Sequence, residues 1–353
     1  MPATAARSNP VSSRTLPRNA LVKPRPRRAA AAQDESVPFG MPLHPHPRWT
    51  WIKRGLSLLF FAAVTTLLVR YARNIDWDDV WASVVSIPAP ALAVAAVLAA
   101  CSHLLYSCFD LIGRRYTGHS LPTLTVMAVN FVSYAFNLCI GSLVGGVGFR
   151  YRLYSRLGLR KGVITRVVSI SMLTNWLGYM LLAGLLFLVK PLALPPSWNM
   201  GNHGLQWVGA ALVAISLGYV VACVRLGDRV WTLRGHDLYL PPWRMALLQM
   251  LISCINWSVM GGVVFILLQQ RVPYTDVLAV LLIGAIAGVI AHVPAGLGVF
   301  EFVFVALLSH VVSEGRLIGA LLGYRAIYYI VPLMVASLLY LAMEINAKKL
   351  AHK

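Results

Sequence analysis

Residues 277–311 read VLAVLLIGAIAGVIAHVPAGLGVFEFVFVALLSHV. The run is apolar apart from His292, Glu301, Ser309 and His310, and its middle carries Pro294-Ala-Gly296-Leu-Gly298. About 20 apolar residues cross a bilayer as one helix, so this stretch is too long for one ordinary span. Proline lacks the amide hydrogen a helix interior needs, and glycine at this density lets the chain turn. Broken backbone at membrane depth survives only inside protein or beside water, because lipid offers its polar groups no partner. The stretch therefore predicts two apolar half-helices joined at a turn.

Further apolar runs flank it, at 55–69, 88–109, 124–145, 163–189, 205–224, 243–268 and 317–343. The run at 124–145 is also broken, passing into Gly141-Ser-Leu-Val-Gly145-Gly146-Val-Gly148. Across the 353 residues 58% are hydrophobic and only 12% charged, against roughly a quarter charged in a soluble domain. That excludes a soluble protein. The net charge of +19 does not indicate nucleic acid, because the basic residues sit in short clusters between apolar runs. The five cysteines, Cys101, Cys108, Cys139, Cys223 and Cys254, lie in or beside apolar runs and form no CxxC or Cys/His metal spacing. No metal, cofactor or disulfide is expected. Residues 1–48, rich in Pro, Ala, Ser and Arg, read as a disordered basic cytoplasmic tail. No apolar segment follows Met1 directly, so a cleaved signal peptide is not expected, though a transit peptide has a similar composition. Residues 49–347 form the membrane domain, with Trp49 and Trp51 as interface anchors, and 348–353 a short basic tail.

Charge decides between two topologies. If all eight runs crossed from a cytoplasmic N-terminus, ten basic residues in 148–166 and 225–244 would lie outside. If 124–145 and 277–311 instead enter the bilayer and turn back, 25 of the 31 Lys and Arg lie inside, as the positive-inside bias prefers. The expected fold is an all-α polytopic membrane protein of six to eight spans, with two Gly/Pro-broken re-entrant helical hairpins and both termini cytoplasmic. Span, hairpin, span in 88–189 recurs turned over in 243–343, the order of an inverted repeat and a transporter architecture.

Candidate residues gather at the breaks. Glu301 falls in the first turn after the second break, where a helix dipole stabilises a carboxylate. An ionisable group at membrane depth costs about 2.5–3.5 kcal/mol by insertion scales and usually has a partner. Arg325, which interrupts the apolar run 317–343, is the partner expected here, with Tyr324 and Tyr328 on one face beside it. Arg325 alternatively binds a lipid phosphate or snorkels to the interface. Gly145 and Gly146 with Arg150 and Arg152 form a second candidate, as an anion nest flanked by guanidinium groups. Asn137, Asn175 and Asn256 are expected to hydrogen-bond across helices. No hydrolase, metalloprotease or dinucleotide motif is present, so no catalytic residue is assigned.

The stretches His46–Trp49, Phe149–Gly158, Thr174–Tyr179, His292–Glu301 and Tyr324–Pro332 together resemble the family of lysylphosphatidylglycerol synthase transmembrane (flippase) regions, over about His46 to Lys349. The resemblance implies a bacterial inner-membrane protein that handles phospholipid, with cardiolipin or phosphatidylglycerol as leading substrates. The family's glycine-rich motif matches Gly145, Gly146 and Arg150. Its Pro-x-Gly-x-Gly-x-x-Glu motif matches Pro294, Gly296, Gly298 and Glu301, and its late arginine matches Arg325. Bifunctional members add a soluble aminoacyl-transferase domain, and this sequence stops at Lys353, so lysyl transfer is not expected of it. The readings left are a lipid translocase, a non-transporting partner of a lipid-synthesis enzyme such as a cardiolipin synthase, and, without a catalytic constellation, an intramembrane enzyme.

Overall fold

The computed structural model describes residues 77–190, 202–226, 230–233 and 236–351, all within the unit Val64–Lys353. The basic tail 1–48, the anchors Trp49 and Trp51 and the run 55–69 lie outside the described residues. Among the described residues twelve α-helices follow in order: α1 (Trp77–Val85), α2 (Ala89–Ser107), α3 (Phe109–Thr117), α4 (Thr123–Ile140), α5 (Phe149–Arg156), α6 (Lys161–Val189), α7 (Asn202–Leu226), α8 (Trp243–Leu267), α9 (Tyr274–Ile290), α10 (Val299–Leu308), α11 (Glu314–Arg325) and α12 (Val331–Ala351). Pro88, Pro122, Pro242 and Pro273 immediately precede α2, α4, α8 and α9, where a missing amide hydrogen costs no helical bond. Strands β1 (Val230–Leu233) and β2 (His236–Tyr239) pair antiparallel between α7 and α8, a small ribbon not foreseen in the sequence.

Among the described residues, six stretches are long and apolar enough to cross a bilayer: Ala89–Thr117, Thr123–Ile140, Lys161–Val189, His203–Leu226, Trp243–Leu267 and Glu314–Ile345. The chain is a multi-pass, all-α membrane protein. Large apolar side chains such as Trp207, Ile215, Val221 and Leu338 stand exposed on the outer faces, as helices facing lipid require. Lipid tails are as apolar as these side chains, so the bundle is held by close packing and interhelical hydrogen bonds instead.

The first break reverses the chain. Gly141 takes φ 93°, ψ 165°, a region essentially closed to residues with a Cβ. A π-helical turn, Ser142–Gly148, then runs back against α4. A Cβ on Gly145 would stand 2.4 Å from backbone atoms of Phe136 and Asn137, so only glycine permits this approach. The returning limb ends where α4 began. Arg114 Nη1 donates to Thr123 Oγ1 at 2.9 Å, and Tyr154 Oη donates to Asp110 Oδ2 at 2.8 Å. Val126, Val129, Leu153, Tyr154, Ile164, Val167 and Ala336 close one apolar cluster there, built by α4, α5, α6 and α12.

The second break does the same at the other end. α9 begins beside Lys190, which pairs with Asp276 at 2.8 Å. The chain then turns through His292, Ala295, Gly296 and Gly298, all at positive φ, and α10 returns with Phe300 against Gly284. The segments before α9 and after α10 meet again, since Leu268, Gln269 and Arg271 share a cavity with Val312 and Arg316. The two halves also pack reciprocally. α4 lies against α12 of the second half, and α9 against α6 of the first, where Tyr179 Oη donates to Leu282 O at 2.9 Å.

Candidate functional site

Two arginines enter the apolar body, and their surroundings differ. Arg150, in the first turn of α5, has its side chain 4% exposed beside Asp110 at 0%. Its Nε donates to Asp110 Oδ2 at 3.1 Å, Nη1 to Gly146 O at 2.9 Å, and Nη2 to Asn130 Oδ1 and to Ser171 Oγ at 3.3 Å. Four of the five guanidinium N–H groups are thereby used. Gly145 N–H bonds back to Gly141 O, inside a helical turn. The structure places the residues expected to form an anion nest in a helix contact and in an ion pair with Asp110. The glycines serve close packing, and Arg150 neutralises Asp110 inside the protein.

Asp110 Oδ1 and His119 Nε2 are buried without a hydrogen-bond partner among the described residues. His119 lies on the loop before α4 and rests by Tyr154. Burial pushes its imidazole below the ordinary range, Arg114 adds to this, and Asp110 opposes it. Arg152 is elsewhere. At 56% exposure it pairs with Glu344 at 3.1 Å, as does Arg156, and its guanidinium lies over the Tyr340 ring. Glu344 is nineteen residues beyond Arg325 on one continuous helical stretch, about 28 Å at about 1.5 Å per residue. Arg152 and Arg325 do not share a site.

Arg325 and Glu301 form the expected pair, each with its side chain 12% exposed. Arg325 Nε and Nη2 donate to the two carboxylate oxygens at 2.5 and 3.0 Å, a fork-on-fork geometry that a lysine cannot copy. Nη1 and Nη2 also reach Ala295 O at 3.2 Å and Gly296 O at 3.4 Å, the carbonyls freed where the helix breaks. Glu301 Oε2 in turn accepts from Gly298 N–H at 2.8 Å, capping α10. One guanidinium thus ties together the carboxylate, the turn and α11.

This second turn also meets the first. α4, which ends at Gly141, packs on the Pro294–Gly296 turn, and Cys139 Sγ lies 4.0 Å from Tyr329 O. Around the turns, apolar residues point outward: Leu143 at 80% exposure, Ile290 at 70%, and Val144 and Leu297 also exposed. A charged pair, two sets of helix ends and an apolar rim therefore lie side by side.

Tyr324 and Tyr328 stack as their spacing implies, ring centroids 5.2 Å apart, but both are buried. Tyr329 is the ring that Arg325 overlies, at 5.4 Å. Its i, i+4 relation to Arg325 was the available signal. Beneath it lies a buried chain missed in the sequence. Ser102 Oγ donates to Asn256 Oδ1 at 2.8 Å and meets Tyr328 Oη at 2.7 Å, and Tyr328 Oη meets Tyr134 Oη at 3.1 Å. Because the Ser102 proton is spent on Asn256, Tyr328 donates to Ser102, and the Tyr134 proton is shared between Tyr328 Oη and Met260 Sδ at 4.0 Å. His103, at ring distances of 4.7–5.8 Å from Tyr328, Tyr134 and Phe131, borders the chain. Asn256 bonds across helices as expected, while Asn175 contributes its backbone carbonyl, to Ser253 and Trp257.

No group of three or more potential metal ligands occurs among the described residues.

Comparison with known proteins agrees with this architecture. Residues 55–336 match the family described as the lysylphosphatidylglycerol synthase TM region. The chain is 48% identical to the inner membrane protein YbhN of Escherichia coli, over 87% of this chain and 97% of that one. It is 30% identical to protein slr0712 of Synechocystis, over 82% of this chain and 89% of the relative. It is also 24% identical to a phosphatidylglycerol lysyltransferase of Staphylococcus haemolyticus, over 80% of this chain and 33% of that enzyme. The chain spans about a third of the length of that enzyme. The match across most of the sequence places this chain in the lysylphosphatidylglycerol synthase TM region family.

Proposed function

We propose that the protein moves an anionic phospholipid, of the phosphatidylglycerol or cardiolipin type, between leaflets of a bacterial inner membrane, without catalysing a covalent reaction. The observation that carries this reading is the Glu301–Arg325 pair, partly exposed at the junction of two broken hairpins and rimmed by apolar side chains.

Both hairpins are read as re-entrant. In a straight-through topology residues 148–166 and the C-terminus lie on opposite faces, yet Arg152 and Arg156 pair with Glu344. Likewise 268–273 and 309–313 would lie on opposite faces, yet both reach one cavity. Folding back satisfies both contacts and places the six basic residues of 148–166 inside.

The chemistry then follows from competition. A lipid phosphate offers the guanidinium the same two-oxygen geometry as Glu301. When the phosphate takes Arg325, Glu301 keeps the Gly298 N–H and the turn loses its latch. The acyl chains stay in lipid along Leu143, Val144, Ile290 and Leu297 while the headgroup passes. Arg150, Gly145 and Gly146 act in this reading by fixing the first hairpin, and Tyr324 and Tyr328 by backing the second.

The test is movement of fluorescent phosphatidylglycerol in vesicles carrying the purified full chain, read by quenching of the outer leaflet. Movement well above protein-free vesicles is expected. No movement, together with co-purification of a lipid-synthesis enzyme, would replace this reading with that of a membrane partner.

A further inference from the structure

We propose that a cavity at the other end of the molecule from Glu344 binds the phosphate of an anionic headgroup. It has a volume of about 170 Å³ and lies between α1, the α8–α9 connection and α11, lined by Ser83, Ser86, Gln269, Arg271 and Arg316 over a floor that includes Leu267. This deepens the translocase reading by giving it a docking point on the outer face, and its test is kept separate.

Charge makes the case. In the proposed topology Lys190, Arg271 and Arg316 are the outward basic residues among those described. Lys190 is neutralised by Asp276. Arg271 and Arg316 form no ion pair among the described residues, and both line this one cavity. Among the described residues, no carboxylate pairs with these two arginines as Asp110, Glu301 and Glu344 do with arginines elsewhere. Asp79 packs on Gly315, next to Arg316, but is not among the lining residues.

The lining suits a small oxyanion. Two guanidinium groups supply forked donors, the Ser83 hydroxyl and the Gln269 amide supply neutral ones, the Ser86 hydroxyl is spent on Ser83 O at 2.8 Å, and no carboxylate lines the cavity among the described residues. Sites that enclose a drug-sized ligand run to roughly 300–1,000 Å³, so this volume takes a headgroup fragment and not a whole lipid. Gln269 and Gln270 hold φ of 53° and 59°, an uncommon conformation for non-glycine residues, which bends the chain so that Gln269 and Arg271 share the cavity wall. The phosphate has two sources, a lipid headgroup or free inorganic phosphate.

Full-length protein in uncharged maltoside micelles at low salt is titrated calorimetrically with dihexanoylphosphatidylglycerol and, separately, with inorganic phosphate. Saturable binding of at least one probe is expected. Binding of the lipid probe alone assigns a headgroup site, and binding of phosphate assigns a free-anion site. The exposed pair Arg271→Gln/Arg316→Gln is expected to weaken it about tenfold or more, as loss of charge-assisted hydrogen bonds does. Ser86→Trp, which fills the cavity and leaves both charges, is expected to do the same. No saturable binding, or weakening below about fivefold in either variant, overturns the proposal. Binding that survives these variants but is lost in Arg325→Gln would move the anion to the hairpin site, overturning this inference and leaving the translocase reading in place.

Discussion

Arg325→Ala is expected to abolish protein-dependent phosphatidylglycerol movement, with vesicles returning to the protein-free rate. The variant removes both carboxylate bonds and the two bonds to Ala295 and Gly296. It also leaves Glu301 largely buried without its counter-charge, so some loss of stability accompanies the loss of movement. Two companion variants separate these effects. Arg325→Ala/Glu301→Gln removes both charges and is expected to recover thermal stability without recovering movement. Arg325→Lys keeps the charge without the planar fork and is expected to retain only a minor share of the rate. Recovery of movement in the double neutral variant would show that Arg325 latches the turn and never meets the lipid.

Arg150→Ala is expected to have the largest effect on folding. Its loss strands Asp110, which is fully buried and has one oxygen already without a partner. Breaking a buried pair from one side costs about 3–5 kcal/mol, a large part of the stability of most domains. The measurable outcome is a marked fall in the melting temperature of the detergent-purified protein, or its absence from the membrane. Arg150→Ala/Asp110→Asn is expected to regain much of the loss, because an amide buried there carries no unpaired charge. An unchanged melting temperature in Arg150→Ala would mean that the guanidinium is not the partner of Asp110.

The sequence showed different layers of this structure with different clarity. Membrane spans were legible because twenty or so apolar residues in a row admit few other readings. The two breaks were legible because Gly141 and Pro294–Gly298 suit conformations that a membrane helix avoids. The Glu301–Arg325 pair followed from the cost of isolated charge in lipid, which makes two lone ionisable groups seek each other. The partner of Arg150 was not legible. Asp110 sits forty residues away, at the end of an apolar run, where it reads as an interfacial residue. The packing role of the glycine run was not legible for a related reason, since glycine serves both anion nests and close helix contacts, and the 2.4 Å approach at Gly145 is seen only in the fold. Ser102 and His103 in α2 and Tyr134 in α4 are scattered among other polar residues of mostly apolar helices. Without a periodic pattern, their convergence on Tyr328 and Asn256 depends on how four segments pack.

All of these roles presuppose that each broken stretch enters and leaves the membrane by the same face. Substituted-cysteine labelling in a cysteine-free background tests this directly, using Ser155→Cys and Gln270→Cys, both exposed positions on the flanks of the hairpins. In intact cells an impermeant thiol reagent should label residue 270 and leave residue 155 untouched until the membrane is opened. Labelling of residue 155 in intact cells, with residue 270 protected, would mean that both stretches run straight through.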